Sequence, residues 1–141
     1  MVNFGVIGCG KIGTRHINFL KQIEGTRILA VSDLIEKRAK DAALSSNSSY
    51  FIDYKDLLKM ENIDVVNICT PTGLHAEMVI DALNSKKHVI CEKPMCLKTE
   101  DADRIIEASK NNSKHIFVVK QNRFNTPIRI LKDALDKGMF G

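Results

Sequence analysis

Three glycines near the amino terminus, Gly8, Gly10 and Gly13, restrict what this chain can fold into more than any other feature. An apolar run at residues 4–7 precedes them, and a segment with helical periodicity follows at once. In this context G-x-G-x-x-G predicts a strand-to-helix turn that binds the pyrophosphate of a dinucleotide. Gly8 would allow the tight turn, Gly10 a close approach to the phosphates, and Gly13 close packing of helix on strand. A glycine-rich turn without a ligand is the alternative.

Apolar runs and helical patterns alternate along the whole chain. Strands are predicted at residues 4–7, 27–33, 50–52, 64–69, 88–91 and 115–119. Helices are predicted at residues 10–23, 34–44, 54–60, 74–85, 99–110 and 126–137. We expect Asp53, Thr99 and Thr126 to cap the third, fifth and sixth helices. The alternation predicts an α/β fold, a Rossmann doubly wound parallel sheet in the order 3-2-1-4-5-6, with helices on both faces.

The helical periodicity also predicts which faces of the helices are buried. The first helix is expected to bury the face that contains Ile12, His16, Phe19, Leu20 and Ile23. The second helix is expected to bury the face that contains Leu34, Ala39, Ala42 and Ala43.

Composition narrows the class of protein. The 141 residues suit one domain, and the net charge of +4 comes from 21 basic and 17 acidic residues. The basic residues are scattered without interleaved aromatic residues, which favours an anionic small molecule over nucleic acid as a partner. No apolar run has the length of a membrane span and no signal-peptide pattern is present, so we expect a cytoplasmic protein without membrane contact. Without C-x-x-C or cysteine–histidine spacing, Cys9, Cys69, Cys91 and Cys96 are interpreted as reduced thiols, and no metal is expected.

Asp33 ends the second predicted strand, 20 residues after Gly13. A carboxylate at this point can accept hydrogen bonds from the ribose hydroxyls of the adenosine and would repel a 2′-phosphate. Leu34 and Ile35 follow it rather than an arginine, so the sequence predicts NAD rather than NADP. The alternative is that Asp33 only caps the second helix.

Two further segments follow predicted strands at the same edge of the sheet. Thr70 to His75 follow the fourth strand and would pass beneath the nicotinamide ribose, although a histidine here can equally serve packing or hydrogen bonding. Glu92 and Lys93 follow the fifth strand, and Pro94 excludes helical geometry at Lys93. This arrangement would direct the Lys93 ammonium across the ligand cleft; the alternative is a surface Glu–Lys pair.

These motifs together resemble a known family. The segments GCGKIG at 8–13 with His16, TPTGLH at 70–75 and CEKP at 91–94 resemble the N-terminal domain of the Gfo/Idh/MocA oxidoreductases. This family includes glucose–fructose oxidoreductase and inositol dehydrogenase. The segments VKQNRFNTP at 119–127 and GMFG at 138–141 are similar to members that act on nucleotide sugars, notably the UDP-N-acetylglucosaminuronate 3-dehydrogenases of surface-polysaccharide (lipopolysaccharide) biosynthesis.

The resemblance implies hydride transfer between a hydroxyl carbon of a sugar or nucleotide sugar and NAD. It implies Lys93 as the catalytic residue, with Lys93 and Arg123 at the substrate. The cofactor-binding residues that we expect are Gly8, Gly10, Lys11, Ile12, Gly13, Asp33, Thr70, Pro71, His75, Glu92 and Lys93.

The resemblance also implies a second α/β domain that carries the acid–base histidine. We therefore expect residues 1–141 to be the dinucleotide-binding domain of a longer enzyme, which is a homo-oligomer when complete. A stand-alone dinucleotide-binding regulatory module without catalysis is the alternative. Gly8, Gly10, Gly13 and Asp33 would serve either function, whereas Glu92-Lys93-Pro94 favours the enzyme.

Overall fold

The computed structural model describes residues 1–140, in which strands and helices follow one another in the predicted order. The strands are β1 (Val2–Ile7), β2 (Thr26–Ser32), β3 (Ser49–Phe51), β4 (Val65–Ile68), β5 (His88–Cys91) and β6 (Ile116–Val118). The helices are α1 (Lys11–Leu20), α2 (Glu36–Ser46), α3 (Tyr54–Leu58), α4 (His75–Asn84), α5 (Thr99–Asn112) and α6 (Thr126–Asp136). Short 3₁₀ helices lie at Thr72–Leu74 and Gln121–Phe124.

The strands form one parallel sheet in the order β3-β2-β1-β4-β5-β6, which confirms the predicted fold. Its register aligns the strand ends: Ile7 lies opposite both Ser32 and Ile68, and Ile68 lies opposite Cys91. The segments that follow β1, β2, β4 and β5 therefore leave the sheet at one edge, which we call the carboxyl edge. Ligands of doubly wound sheets bind at this edge, next to the point where the strand order reverses.

The core lies on both faces of the sheet because strand side chains alternate between the faces. On β1, Val6 packs in a cluster with residues of α1 and α2, whereas Ile7 packs in a cluster with residues of α3, α4 and α5. The central strands are therefore apolar on both sides, as in other parallel sheets. Within residues 1–140, no helix combines the length and the apolar character needed to cross a bilayer.

The buried face of α1 agrees with the predicted one only at Leu20, which is buried, and at His16, which is half-buried. Gly13, Ile17 and Leu20 are buried, whereas Phe19 is 56% exposed. Ile12 and Ile23 are also exposed, and the helix ends at Leu20 rather than at residue 23. The close contact between Gly13 and the glycine turn fixes the rotation of the helix, and residues four and seven positions later then face the sheet. In the second helix Leu34 is exposed, because α2 begins only at Glu36.

One of the three predicted caps is confirmed. The Asp53 carboxylate accepts a hydrogen bond from the Lys55 N–H at 2.9 Å, at the start of α3. The prediction was wrong for Thr99 and Thr126, because each is already inside its helix and the preceding residue occupies the cap position without a side-chain bond. Acidic residues in the first turn of α5 and a proline in that of α6 suit these helix starts without a threonine cap.

Candidate functional site

The glycine turn joins β1 to α1 at the centre of the carboxyl edge. Gly8 has a φ of +91°, and a Cβ atom there would lie 2.9 Å from the backbone of Cys69. A Cβ atom at Gly13 would lie 1.8 Å from the Gly8 carbonyl oxygen. At both positions only glycine fits without displacement of the backbone. The turn, the loop after β4 and the start of α1 therefore pack backbone against backbone.

Gly10 differs from the other two glycines because nothing lies within 4 Å of a Cβ atom built on it. It is the N-cap residue of α1, and the first turn of this helix has neither an acidic residue nor a side-chain cap. The N–H groups of Lys11 and Ile12 have no carbonyl partner in a preceding turn, so they are free to bind an anion. Open space beside Gly10 and free donors at the positive end of α1 fit the pyrophosphate of a dinucleotide.

Asp33 lies directly beside this turn. Its Oδ2 accepts a hydrogen bond from the Cys9 N–H at 2.8 Å, and its Oδ1 accepts one from the Ile35 N–H at 2.8 Å. Ile35, rather than Asp33, occupies the N-cap position of α2. A carboxylate has about four acceptor sites, so Asp33 can still accept hydrogen bonds from ribose hydroxyls. Its bond to the glycine turn was not predicted from the sequence.

Lys93 leaves β5 at the same edge and is exposed, with a cis peptide bond to Pro94. Glu92 does not pair with its ammonium. Instead the Glu92 Oε2 atom accepts the backbone N–H of Lys93 at 3.2 Å, and Oε1 lies 3.0 Å from His16 Nε2. Among the residues that the structure describes, the alternative surface Glu92–Lys93 ion pair is therefore not formed, and the roles of both residues at the cofactor stay predictions.

The loop after β4 is tied to the exit of β5 by His75, which is only 1% exposed. One ring nitrogen, Nδ1, lies 2.8 Å from the Pro94 carbonyl oxygen, and the other, Nε2, lies 2.8 Å from the Thr70 carbonyl oxygen. The structure thus places His75 as a bridge between the two loops. Contact of His75, Thr70 and the exposed Pro71 with the cofactor stays a prediction.

Arg123 is also near the exit of a strand. It lies in the 3₁₀ helix Gln121–Phe124, which follows β6, and it is exposed. Because Val118 of β6 lies opposite Cys91 of β5, this segment also leaves the sheet at the carboxyl edge. Its predicted contact with a substrate is untested.

The thiols of Cys9, Cys69 and Cys91 are held in their protonated form. Burial, and next the Asp33 carboxylate, raise the pKa of Cys9 to about 12. Burial, and next the Glu92 carboxylate, raise the pKa of Cys91 to about 12, and the same two causes raise the pKa of Cys69. The thiolate is the nucleophilic form of cysteine, so none of these three side chains is activated at neutral pH. Within residues 1–140, no group of three or more His, Cys, Asp or Glu side chains is arranged to hold a metal ion.

Sequence reasoning missed Asn67, a polar residue on the buried strand β4. Asn67 is 2% exposed, and its Nδ2 atom lies 3.1 Å from His16 Nδ1. The sequence did contain a signal, since Asn67 interrupts an otherwise apolar strand. From the sequence, His16 was placed on an apolar helix face and among the residues that carry the family resemblance, but its bonds to Asn67 and Glu92 were not predicted.

Comparison with known proteins agrees with this geometry. Residues 2–120 match the model of an oxidoreductase family that is described by its NAD-binding Rossmann fold. The chain is similar to a myo-inositol 2-dehydrogenase from Thermotoga maritima, with 37% identity over 142 residues. That match covers 99% of this chain and 42% of the relative.

Solved structures give the same result. The chain is similar to a WlbA dehydrogenase from Chromobacterium violaceum in complex with NADH and UDP-GlcNAcA, with a TM-score of 0.95 and 33% identity over 99% of this chain and 41% of that one. It is also similar to a scyllo-inositol dehydrogenase from Lactobacillus casei with bound NAD(H) and scyllo-inositol, with a TM-score of 0.91 and 25% identity over 100% of this chain and 42% of that one. The chain therefore spans about two fifths of the length of these proteins.

Proposed function

Because this chain belongs to the Gfo/Idh/MocA oxidoreductase family, as an NAD-binding Rossmann domain, we propose that the full-length protein is a dehydrogenase of polyhydroxylated ring compounds. NAD, when bound, accepts a hydride from a hydroxyl-bearing carbon. The observation that carries the proposal is the position of Lys93, an exposed lysine that leaves the carboxyl edge two strands from the glycine turn. Binding of the pyrophosphate and of the adenosine ribose by the glycine turn and Asp33 does not by itself require this cation.

The first turn of α1, Asp33 and Lys93 have separate roles in this proposal. The first turn of α1 binds the pyrophosphate beside Gly10, and Asp33 accepts hydrogen bonds from the ribose hydroxyls. The Lys93 ammonium donates a hydrogen bond to the reacting hydroxyl oxygen and stabilises the negative charge that develops as the proton leaves. An ammonium cannot itself accept that proton. We therefore place the base in the part of the full-length enzyme beyond this domain.

A nucleotide sugar is the substrate class that we favour. The similarity to two WlbA dehydrogenases solved with NADH and UDP-GlcNAcA, each with a TM-score of 0.95, supports it. Exposed Arg123 at the same edge would pair with the phosphates of such a substrate. In this case the enzyme would act in surface-polysaccharide biosynthesis. The 37% identity to a myo-inositol 2-dehydrogenase supports a cyclic polyol as the second candidate.

The experiment is a turnover assay of the full-length protein with NAD and, separately, UDP-GlcNAcA and myo-inositol. We expect NADH absorbance to rise with UDP-GlcNAcA, and a rise with myo-inositol alone would favour the second candidate. Gly10→Ala serves as the control, because its Cβ fills the space proposed for the pyrophosphate without a clash in the protein. If the protein binds NADH but reduces NAD with neither compound, the dehydrogenase proposal is contradicted and a regulatory binding module is favoured.

A further inference from the structure

A chain of hydrogen bonds runs from the sheet interior to the backbone of Lys93. Asn67 Nδ2 lies 3.1 Å from His16 Nδ1, and His16 Nε2 lies 3.0 Å from Glu92 Oε1. The other carboxylate oxygen, Glu92 Oε2, accepts the Lys93 N–H at 3.2 Å. The chain connects β4, α1 and the exit of β5, three elements that the sequence separates widely.

The donor and acceptor atoms of these side chains determine which group donates in each hydrogen bond. An amide nitrogen only donates, so His16 Nδ1 must accept the hydrogen bond from Asn67. The neutral imidazole then carries its proton on Nε2 and donates it to Glu92.

The side chains of this network are largely buried. Asn67 is 2% exposed, and the side chains of His16 and Glu92 are only 16% and 15% exposed. Asn67 lies between Val6 of β1 and Ile90 of β5 in the sheet register. Its Oδ1 is a buried side-chain oxygen without a partner in the described residues. Of the two polar atoms of the Asn67 amide, only the donor Nδ2 has a partner among the described residues, and that partner is His16.

We propose that Asn67 and His16 are positioning residues for the proposed dehydrogenase: they hold the Glu92 carboxylate, which in turn fixes the backbone from which the Lys93 ammonium reaches the reacting hydroxyl. This inference rests on the proposed function. Neither residue touches the substrate. Lys93 is exposed and no hydrogen bond or ion pair holds its ammonium among residues 1–140, so its backbone anchor sets where the side chain begins.

Two substitutions of His16 separate positioning from packing. In His16→Gln, the amide nitrogen replaces Nε2 and can still donate to Glu92. In His16→Asn, the shorter amide can still accept from Asn67 but does not reach Glu92. Both variants lose the ring, and Gln fills more of its space than Asn, so a third variant, His16→Leu, reports the effect of packing alone. It fills the space of the ring without forming a hydrogen bond, and a residue that only filled space would keep its kcat in His16→Leu. A positioning role predicts that His16→Asn lowers kcat by about 10²-fold, the scale of a misplaced catalytic group. It also predicts that the kcat of His16→Gln is about tenfold higher than that of His16→Asn.

The test uses the full-length enzyme with NAD and whichever of UDP-GlcNAcA and myo-inositol the wild type oxidises. The dissociation constant of NADH is expected to agree between the two variants, so that the difference lies in kcat. Crystal structures of both variants provide a readout without activity. We expect the Glu92–Lys93 N–H bond to persist in His16→Gln and to be lost in His16→Asn. Equal kcat in the two variants would overturn the proposal.

The two proposals fail in different ways. If the wild type oxidises neither compound, the proposed function fails and the variants are judged by their crystal structures alone. Glu92 in the same position in both variants would then overturn the hydrogen-bond chain as well. If the Glu92 carboxylate is displaced only in His16→Asn, the hydrogen bonds from Asn67 and His16 are supported as the anchor of the Lys93 backbone.

Discussion

At the residue scale, Asp33 is expected to select the cofactor. Its carboxylate lies beside the glycine turn, and the exposed residues Leu34 and Ile35 follow it instead of an arginine that could neutralise a 2′-phosphate. We expect the full-length protein to bind NAD more tightly than NADP in titration calorimetry. Asp33→Asn is expected to lower NAD affinity about tenfold or more, which is the scale of a hydrogen bond to a charged group. The same substitution should reduce the preference for NAD over NADP. Wild-type protein that binds NADP as tightly as NAD would contradict this prediction.

Lys93 provides the catalytic prediction at the same scale. Lys93→Met keeps a flexible apolar side chain but removes the charge and the donor. In the full-length enzyme we expect kcat to fall roughly 10²–10³-fold, the effect of losing one preorganised donor. The affinity for NADH should change little, because Gly10 and Asp33 lie on other segments. Lys110→Met, an exposed lysine in the last turn of α5, is the matched control. A kcat within about threefold of the wild type would make Lys93 a structural loop residue.

At the scale of elements, the start of α1 allows packing and cofactor binding to be separated. A Cβ atom at Gly13 meets the Gly8 carbonyl at 1.8 Å, so Gly13→Ala must displace the helix from the turn. We expect it to destabilise the protein by about 1–3 kcal/mol or more, as overpacking does, and to abolish NADH binding. Gly10→Ala meets no protein atom within 4 Å, so it should abolish NADH binding with little change in Tm. Thermal unfolding and NADH fluorescence measure both effects. Unchanged NADH affinity in Gly10→Ala would place the pyrophosphate elsewhere.

The order of the elements could be predicted because apolar periodicity and turn residues are local signals. The strands and helices follow from them, whereas the reversal of strand order between β1 and β4 was taken from the usual order of doubly wound sheets. The buried face of α1 could not be predicted, because the contact of Gly13 with Gly8 sets the rotation of the helix. The absence of caps at Thr99 and Thr126 could not be predicted either, because sequence patterns locate helix ends only within a few residues.

The candidate site was predictable where one segment supplies the chemistry, as at Gly10 or Lys93. It was not predictable where residues from distant segments meet. The bond from Cys9 to Asp33 and the bridge from His75 to Pro94 depend on the aligned strand ends. Asn67 was missed because a buried polar residue gains its role only from its partner across the sheet.

At the scale of the whole molecule, the described residues form only one side of the proposed cofactor and substrate cleft. Every residue that we assign to the cofactor lies on the carboxyl edge of a single sheet, and the chain spans about two fifths of its relatives. Hydride transfer requires the donor carbon to be held in near-attack geometry. We therefore expect the 141-residue chain alone to bind NADH but to show no turnover with UDP-GlcNAcA or myo-inositol. Robust reduction of NAD by this chain would contradict the prediction.

The exposed apolar face of α6 indicates that the 141-residue chain self-associates in solution. No residue of α6 is buried, although its apolar side chains Ile128, Leu131 and Leu135 recur at the spacing of one helix face and are about half exposed. A contiguous apolar face of this kind favours association. We expect the chain to self-associate in sedimentation equilibrium, and Leu131→Glu to shift it toward monomer because a charge in an apolar contact is unfavourable. Leu44→Glu, at an exposed leucine of α2, is the matched control and should leave the association unchanged. A chain that remains monomeric at high concentration, or one that Leu44→Glu dissociates equally well, would show that α6 does not drive self-association.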